Sequence, residues 1–268
     1  MTDRLGELER LSPDRGSLSG TFWDRRADRY AATARLKDTK DDPFLRRLRR
    51  VAGPSSTVVD VGAGTGRFAL PLATDVKHVT AIDPSEGMLT ILRREAGELG
   101  VANLTAIHSS WEQATDVTAD IVFSAFVLTL VRDAPAFLTK LEAAAGSHVF
   151  LCLGAYSADA VLDPLWRHFH GAPRTPGPSY LDAVAVLREL GIAPEVRVVE
   201  IVNRRRFATI GDAVEHYRDA LLLADSPGVR RDLEGLLSSW LLGRRGAFRS
   251  PLRSTPAAII HWTPPTGP

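Results

Sequence analysis

The sequence predicts an α/β protein built on a parallel sheet with helices on both faces, and two patterns carry that prediction. Short runs rich in valine, isoleucine and phenylalanine recur at TVVDVG (57–62), HVTAID (78–83), NLTAIH (103–108), DIVFSAF (120–126) and HVFLCLG (148–154). Each is followed by a helix-compatible stretch or a connecting loop. Nearly continuous apolar strands alternating with helices mark a parallel sheet covered on both sides.

The flanking elements follow from local signals. Residues 1–20 are polar, with Pro13, Gly16 and Gly20, and read as a loosely ordered lead-in. In Phe22–Ala34 the apolar positions recur at helical spacing, and Trp23 and Tyr30, seven apart, share a face. A second helix is expected over Pro43–Ala52, with Asp41 and Asp42 at its dipole-favoured start. After the fifth strand come a helix over Asp163–Gly171, a proline-rich turn, and a helix over Tyr180–Leu190 closed by Gly191. A strand at Val196–Val202, helices near Asp212–Ala224 and Pro227–Leu242, and a last strand at Ala257–Trp262 complete the chain. There is no internal repeat and no low-complexity linker, so residues 21–268 read as one domain.

Composition narrows the class. With 44% hydrophobic and 24% charged residues in 268, the chain is neither disordered nor fibrous. Thirty-three basic against 32 acidic residues leave a net charge of +1, without the basic excess of a protein that neutralises many phosphates. No nucleic-acid partner is therefore expected, and Arg204-Arg205-Arg206 reads as a solvated strand end. The single cysteine, Cys152, excludes an internal disulfide framework and a cysteine-rich zinc site. The first residues carry charge instead of an apolar core, and no run suits a membrane span. A cytoplasmic protein, monomeric or homodimeric, is the expectation.

The strongest signal is Val58-Val59-Asp60-Val61-Gly62-Ala63-Gly64-Thr65-Gly66, a buried strand running into three alternate glycines and a helix expected near Arg67. Glycine is required where backbone takes positive φ or where a ligand approaches closer than a Cβ allows. A helix N-terminus behind the loop offers free N–H groups to a ligand's polar end. Asp60, an acid at the end of a buried strand, is costly unless something bonds to it or neutralises it. The spacing disfavours a dinucleotide, because Arg67 stands where GxGxxG needs its third glycine. A phosphate loop ending in Gly-Lys-Ser/Thr is absent too.

An Asp-x-Gly-x-Gly-x-Gly strand end, with Asp83 closing the second strand in HVTAIDPSEGML, resembles the class I S-adenosylmethionine-dependent methyltransferases. The likeness covers residues 22–155. The segment Leu165-Trp166-Arg167-His168-Phe169-His170-Gly171, with Asp182–Gly191, extends it to about Glu200 and resembles uncharacterised actinobacterial methyltransferases. The resemblance implies a doubly wound, Rossmann-like sheet of seven strands, mostly parallel. The last strand would be inserted antiparallel beside Val196–Val202. N-terminal lid helices (21–54) and late helical insertions, with 156–192 serving the acceptor site, would complete it.

It also implies roles. Gly62, Ala63 and Gly64 would pass under the methionine part of S-adenosylmethionine, with Asp60 orienting its ammonium. Asp83 would accept both ribose hydroxyls, the alternative being an unliganded strand cap. Pro84 and Met88 would cover the adenine, though Met88 also fits plain core. Ala125 would line the site after strand four, and Tyr30 would reach the methionine carboxylate from the lid unless it only packs. The family often places an adenine-binding acid after strand three; this chain has His108-Ser109-Ser110-Trp111-Glu112, which assigns adenine recognition to Ser110 and Trp111. Trp111 is equally suited to packing the sheet's rim.

Methyl transfer is an in-line displacement that needs positioning more than functional groups, and a base only for poorly acidic acceptors. Ser124-Ala125-Phe126-Val127-Leu128-Thr129-Leu130 lacks the Asn-Pro-Pro-Tyr of base and glutamine N-methyltransferases and the histidine of quinone-type relatives. A small-molecule acceptor is left as the leading reading. Tyr156, at the carboxyl edge after strand five, is a candidate for orienting the acceptor. His168 and His170 are candidate bases, and their spacing lets at most one face a pocket and disfavours a metal pair. His78, His148, His216 and His261 read as structural. A protein or RNA acceptor, or a non-catalytic S-adenosylmethionine-binding module, are the competing readings.

Overall fold

The computed structural model of the chain describes residues 20–34, 39, 41–155, 159–175, 177–203, 206–244 and 247–265. The lead-in up to residue 19, Tyr156, and the pair Arg204 and Arg205 lie outside the described residues.

A seven-stranded sheet organises the chain. Its strands are β1 (Thr57–Val61), β2 (His78–Asp83), β3 (Leu104–His108), β4 (Ala119–Ala125), β5 (Ala145–Gly154), β6 (Glu195–Val202) and β10 (Ser254–Trp262), ordered β3-β2-β1-β4-β5-β10-β6. β1 lies parallel between β2 and β4, and the parallel pairing continues to β3 and β5. β10 runs antiparallel to both β5 and β6, as the sequence predicts. Pleating assigns neighbouring residues of β1 to opposite faces. Val59 and Val61 join a cluster with Leu138, Leu141, Val184 and Leu187, while Val58 joins Phe44, Leu48, Phe68 and Leu92. Burial on both faces explains why β1 is apolar without alternation.

Helices α4 (Ala69–Ala73), α5 (Glu86–Leu99), α6 (Ala134–Ala144) and α8 (Tyr180–Glu189) cover the sheet, with α3 (Pro43–Arg49) before β1. Ser85 and Gly100 bound α5: the serine hydroxyl accepts the Met88 N–H, and the glycine takes φ +68°. α8 packs in the sheet cluster through Ala183, Val184 and Leu187. It is thus an ordinary covering helix, although the sequence groups it with an acceptor-site insertion.

Two regions depart from expectation. The single N-terminal helix is two, α1 (Gly20–Asp24) and α2 (Ala27–Ala34). The late helices also build a unit with its own core. α7 (Asp159–His170), α9 (Ile210–Ala220) and α10 (Pro227–Trp240) pack Leu165, Trp166, Ala213, Tyr217, Leu233 and Leu237 together. A small antiparallel sheet of β7 (Arg206–Phe207), β9 (Ala247–Arg249) and β8 (Leu242–Arg244) closes this unit. Strands of two or three residues are too short for a periodic signal, so the sequence did not show them. Among the described residues no helix is long and apolar enough to cross a membrane.

Candidate active site at the carboxyl edge of the sheet

The glycine turn sits where β1 ends. Gly62, Gly64 and Gly66 all take positive φ, at +77°, +55° and +85°. Their surroundings differ. A Cβ on Gly62 would run into the Val127 side chain, and one on Gly66 would lie 2.8 Å from Leu70. A Cβ on Gly64 would meet no protein atom within 4 Å. Gly62 and Gly66 are therefore packing glycines, and Gly64 alone opens onto empty space.

The turn's N–H groups point inward. Those of Gly62 and Ala63 donate to the Ile82 carbonyl, that of Gly66 to the Ala63 carbonyl, and that of Gly64 to Asp83 Oδ2 at 2.8 Å. α4 begins at Ala69, later than predicted, and the Ala69 N–H favours the ionised form of Asp60. The N–H groups of Gly62, Ala63, Gly64 and Gly66 are thus engaged by protein, and the Gly64 Cβ position is the open one in the turn.

Electrostatics fits a cation. Asp60 is 2% exposed, and its Oδ2 is buried without a partner. Burial pushes its carboxyl well above the usual range, the charge of Asp83 adds to this, and the Ala69 N–H opposes it. Asp83 is 7% exposed and accepts from the Ser85 N–H at 2.9 Å as well as from Gly64. Burial raises its pKa too; the Ser85 and Gly64 N–H groups lower it, the charge of Asp24 raises it, and His108 lowers it slightly. No lysine or arginine pairs with either acid among the described residues. Two neighbouring buried acids short of positive charge, one bonded to the N–H of the open Gly64, suit a ligand with a cationic end and hydroxyl donors.

The remaining predicted residues separate. Pro84 follows Asp83 directly, its carbonyl accepting from His108 Nε2 at 3.0 Å, and Ala125 is half-buried at the end of β4. Ser110 caps a turn by accepting the Gln113 N–H. Trp111 is 4% exposed within the sheet cluster, with the Lys140 ammonium 4.9 Å from its ring centroid, so it packs the rim. Met88 is core as well, buried with Ala27, Ala31 and Ile91 beneath Trp23 and Tyr30. The Trp23 and Tyr30 rings meet edge to face at 6.1 Å.

The histidine candidates belong to the helical unit. His168 Nε2 lies 2.8 Å from Asp232, and His170 stacks on Trp166 and donates to the Leu221 carbonyl. His170 is held against the core of that unit, and His168 lies on its exposed face. The aromatic residues of the lid and insertion segments are divided among three clusters: Trp23 and Tyr30 on α5, Trp166 and Phe169 in the helical unit, and Tyr180 against the sheet. His148 and His261, read from the sequence as structural, bond to each other at 3.0 Å across β5 and β10. Cys152 is fully buried, and burial pushes its thiol up, away from reactivity.

Sequence reading missed three features at this edge. Phe126 takes φ +62°, a sparse region for a bulky residue, and is 39% exposed immediately after β4. Val127 fills the space beside Gly62, and Asp24 meets the start of α5. Nothing in the local sequence marks any of them.

Residues 58–145 match the methyltransferase domain family. Fold and match together define the class: residues 58–145 carry a methyltransferase domain, set in a seven-stranded sheet that solved structures share. Among particular relatives, an uncharacterised protein of Haemophilus influenzae is 35% identical over 183 residues, 66% of this chain and 66% of that protein. The YcgJ protein of Bacillus subtilis shares the fold at TM-score 0.56 and 14% identity, covering 84% of this chain and 99% of that one. So does DhpI in its SAH complex, at 0.52 and 18%, covering 92% and 96%. Shorter matches include ribosomal RNA, malonyl-[acyl-carrier protein] and release factor glutamine methyltransferases. The chain's matches span 14% to 66% of the length of its curated relatives.

Proposed function

We propose that the protein transfers a methyl group from S-adenosylmethionine to a small-molecule acceptor. The observation that carries this reading is the buried acid pair, Asp60 with an oxygen left without a partner and Asp83 bonded to the N–H of Gly64, whose Cβ position is open. Bound there, S-adenosylmethionine supplies a methyl group activated on a sulfonium sulfur. Asp60 Oδ2 would accept from the ammonium, Asp83 from the ribose hydroxyls, and the Gly64 backbone would lie under the methionine part. Pro84 and Ala125 flank the same edge, and Phe126 joins them from the structure. Ser110, Trp111 and Met88 support the rim by packing.

The acceptor's approach is from the side of Phe126 and the helical unit. No base is required where the acceptor is already nucleophilic. The exposed, strained Phe126 favours an acceptor with an apolar face. The actinobacterial kinship of the α7–α8 segment belongs to this reading, as does the cytoplasmic setting. A screen of metabolite pools with saturating cofactor, following S-adenosylhomocysteine release, tests the acceptor class. Release only with RNA or protein fractions would favour the macromolecular alternative, and binding without release a binding module.

Two expected results bear on the site itself. Asp83→Ala should weaken S-adenosylmethionine binding by about 1–3 kcal/mol, the scale of bonds to a charged group, in a folded protein. Calorimetry showing unchanged affinity would remove Asp83 from the site. Hydrogen exchange across α1 and α2 should slow when S-adenosylhomocysteine is added, more than across α9 and α10, because a roof orders as its contacts form. Removing residues 1–34 should correspondingly reduce activity far more than sheet stability. Unaltered exchange together with full activity of the truncated protein would make these helices mere packing.

A further inference from the structure

We propose that Asp24 is a positioning residue that ties the N-terminal helices to the ribose end of the cofactor site, making the seating of α1 and the binding of cofactor one event. The proposal rests on the assignment of that site to S-adenosylmethionine. Asp24 closes α1, and its Oδ1 accepts both the Ser85 hydroxyl at 2.6 Å and the Gly87 N–H at 2.8 Å. Ser85 is fully buried and bonds in both directions, since its own N–H donates to Asp83 Oδ1 at 2.9 Å. One serine therefore separates the helix from the carboxylate that would hold the ribose.

The contact is built for close approach. A Cβ on Gly20 would collide with the Pro84 carbonyl oxygen, and one on Gly87 would lie 3.0 Å from the Asp24 Cα. Only glycine at both positions lets α1 reach the start of α5. Behind this contact, Ala27 and Ala31 of α2 press on Met88 and Ile91. The carboxylate also sits at the positive end of the α5 dipole, a favourable place for an acid.

Charge makes the coupling directional. Asp24 lies near enough to Asp83 for its charge to disfavour ionisation there, so seating α1 gathers negative charge around an already anionic site. A cation bound at Asp60 and Asp83 relieves that repulsion, and by linkage a seated α1 then strengthens cation binding. The effect should scale with ligand charge. Sinefungin, in which a carbon bearing a protonated amine replaces the neutral sulfur of S-adenosylhomocysteine, should benefit more.

The experiment compares full-length wild type, Asp24→Ala, Asp24→Asn and Gly20→Ala by calorimetry with both ligands and by hydrogen exchange over residues 20–34. Asp24→Ala should weaken S-adenosylhomocysteine binding roughly tenfold and abolish ligand-induced protection of α1, having lost two bonds to a charged acceptor. Gly20→Ala, which leaves those acceptors intact, should unseat the helix by collision and show the same loss. Asp24→Asn keeps an accepting oxygen without the charge. It should retain protection but lower the wild-type preference for sinefungin, a change that a purely structural role would not produce. If wild type binds neither ligand, the assignment of the site fails. If wild type binds and all three variants match it in affinity, ligand preference and protection, the coupling through Asp24 is overturned while the site stands.

Discussion

Replacing Gly64 with valine is expected to eliminate measurable S-adenosylhomocysteine binding in a protein that remains folded. A Cβ there meets no protein atom within 4 Å, so the fold leaves room for a side chain to begin. On the proposed assignment it would occupy the place of the methionine part of the cofactor, next to the N–H that Asp83 holds. The φ of +55° imposes a backbone penalty of roughly 1–2 kcal/mol on an L-residue, a modest fraction of a domain's stability. Loss of affinity should exceed that, at least ~100-fold, or about 2.7 kcal/mol. Gly66→Val is the informative contrast. There the new atoms would press on Leu70 at 2.8 Å and Leu92 at 3.2 Å, so thermal stability should fall more than at Gly64. Unchanged affinity in folded Gly64→Val would sink the glycine-turn assignment.

The second large effect is expected at Asp60. Asp60→Asn should raise the melting temperature of the ligand-free protein by a few degrees while weakening S-adenosylmethionine binding by roughly 10- to 100-fold. An amide fills the same space without the charge that burial penalises, but it also carries no charge for the cofactor's ammonium. The pH dependence has a definite sign, because Asp60 and Asp83 both have folded-state pKa values above the ordinary one. Below about pH 4 each is protonated whether the chain is folded or not, and neither destabilises the fold. As pH rises toward the elevated folded values, the unfolded chain ionises first, so the ligand-free protein loses stability across that interval. Cofactor binding favours the ionised acids, so it should tighten with pH there and release protons. Calorimetry in buffers of different ionisation enthalpy reads that release directly. Asp60→Asn should flatten the stability profile and reduce the proton count; an unaltered profile and affinity would show that Asp60 faces no ligand.

Some of this site was legible residue by residue. Asp60, Gly62, Gly64 and Asp83 were marked because strand ends, positive φ and buried acids leave local signatures. The distinction among the three glycines was not, since it depends on Val127 and Leu70, neighbours brought in by other parts of the fold. His168 and His170 looked available for chemistry because sequence cannot show that Asp232 and the Leu221 carbonyl already engage them. Trp111 and Met88 were ambiguous for the same reason: an aromatic or a thioether at helical spacing reads alike in a pocket and in a core.

By itself the sequence determined the alternating strands and helices, the parallel centre of the sheet and the position of the glycine turn. These follow from hydrophobic runs and backbone constraints confined to a few adjacent residues. Only the tertiary structure decided that the late helices form a core of their own, that the turn's N–H groups point into the protein, and that Asp24 reaches Ser85 and Gly87 across 61 and 63 residues. Such contacts join residues whose separation along the chain carries no periodic signal. They arise because packing and buried charge are satisfied in space, by whichever groups the fold happens to bring together.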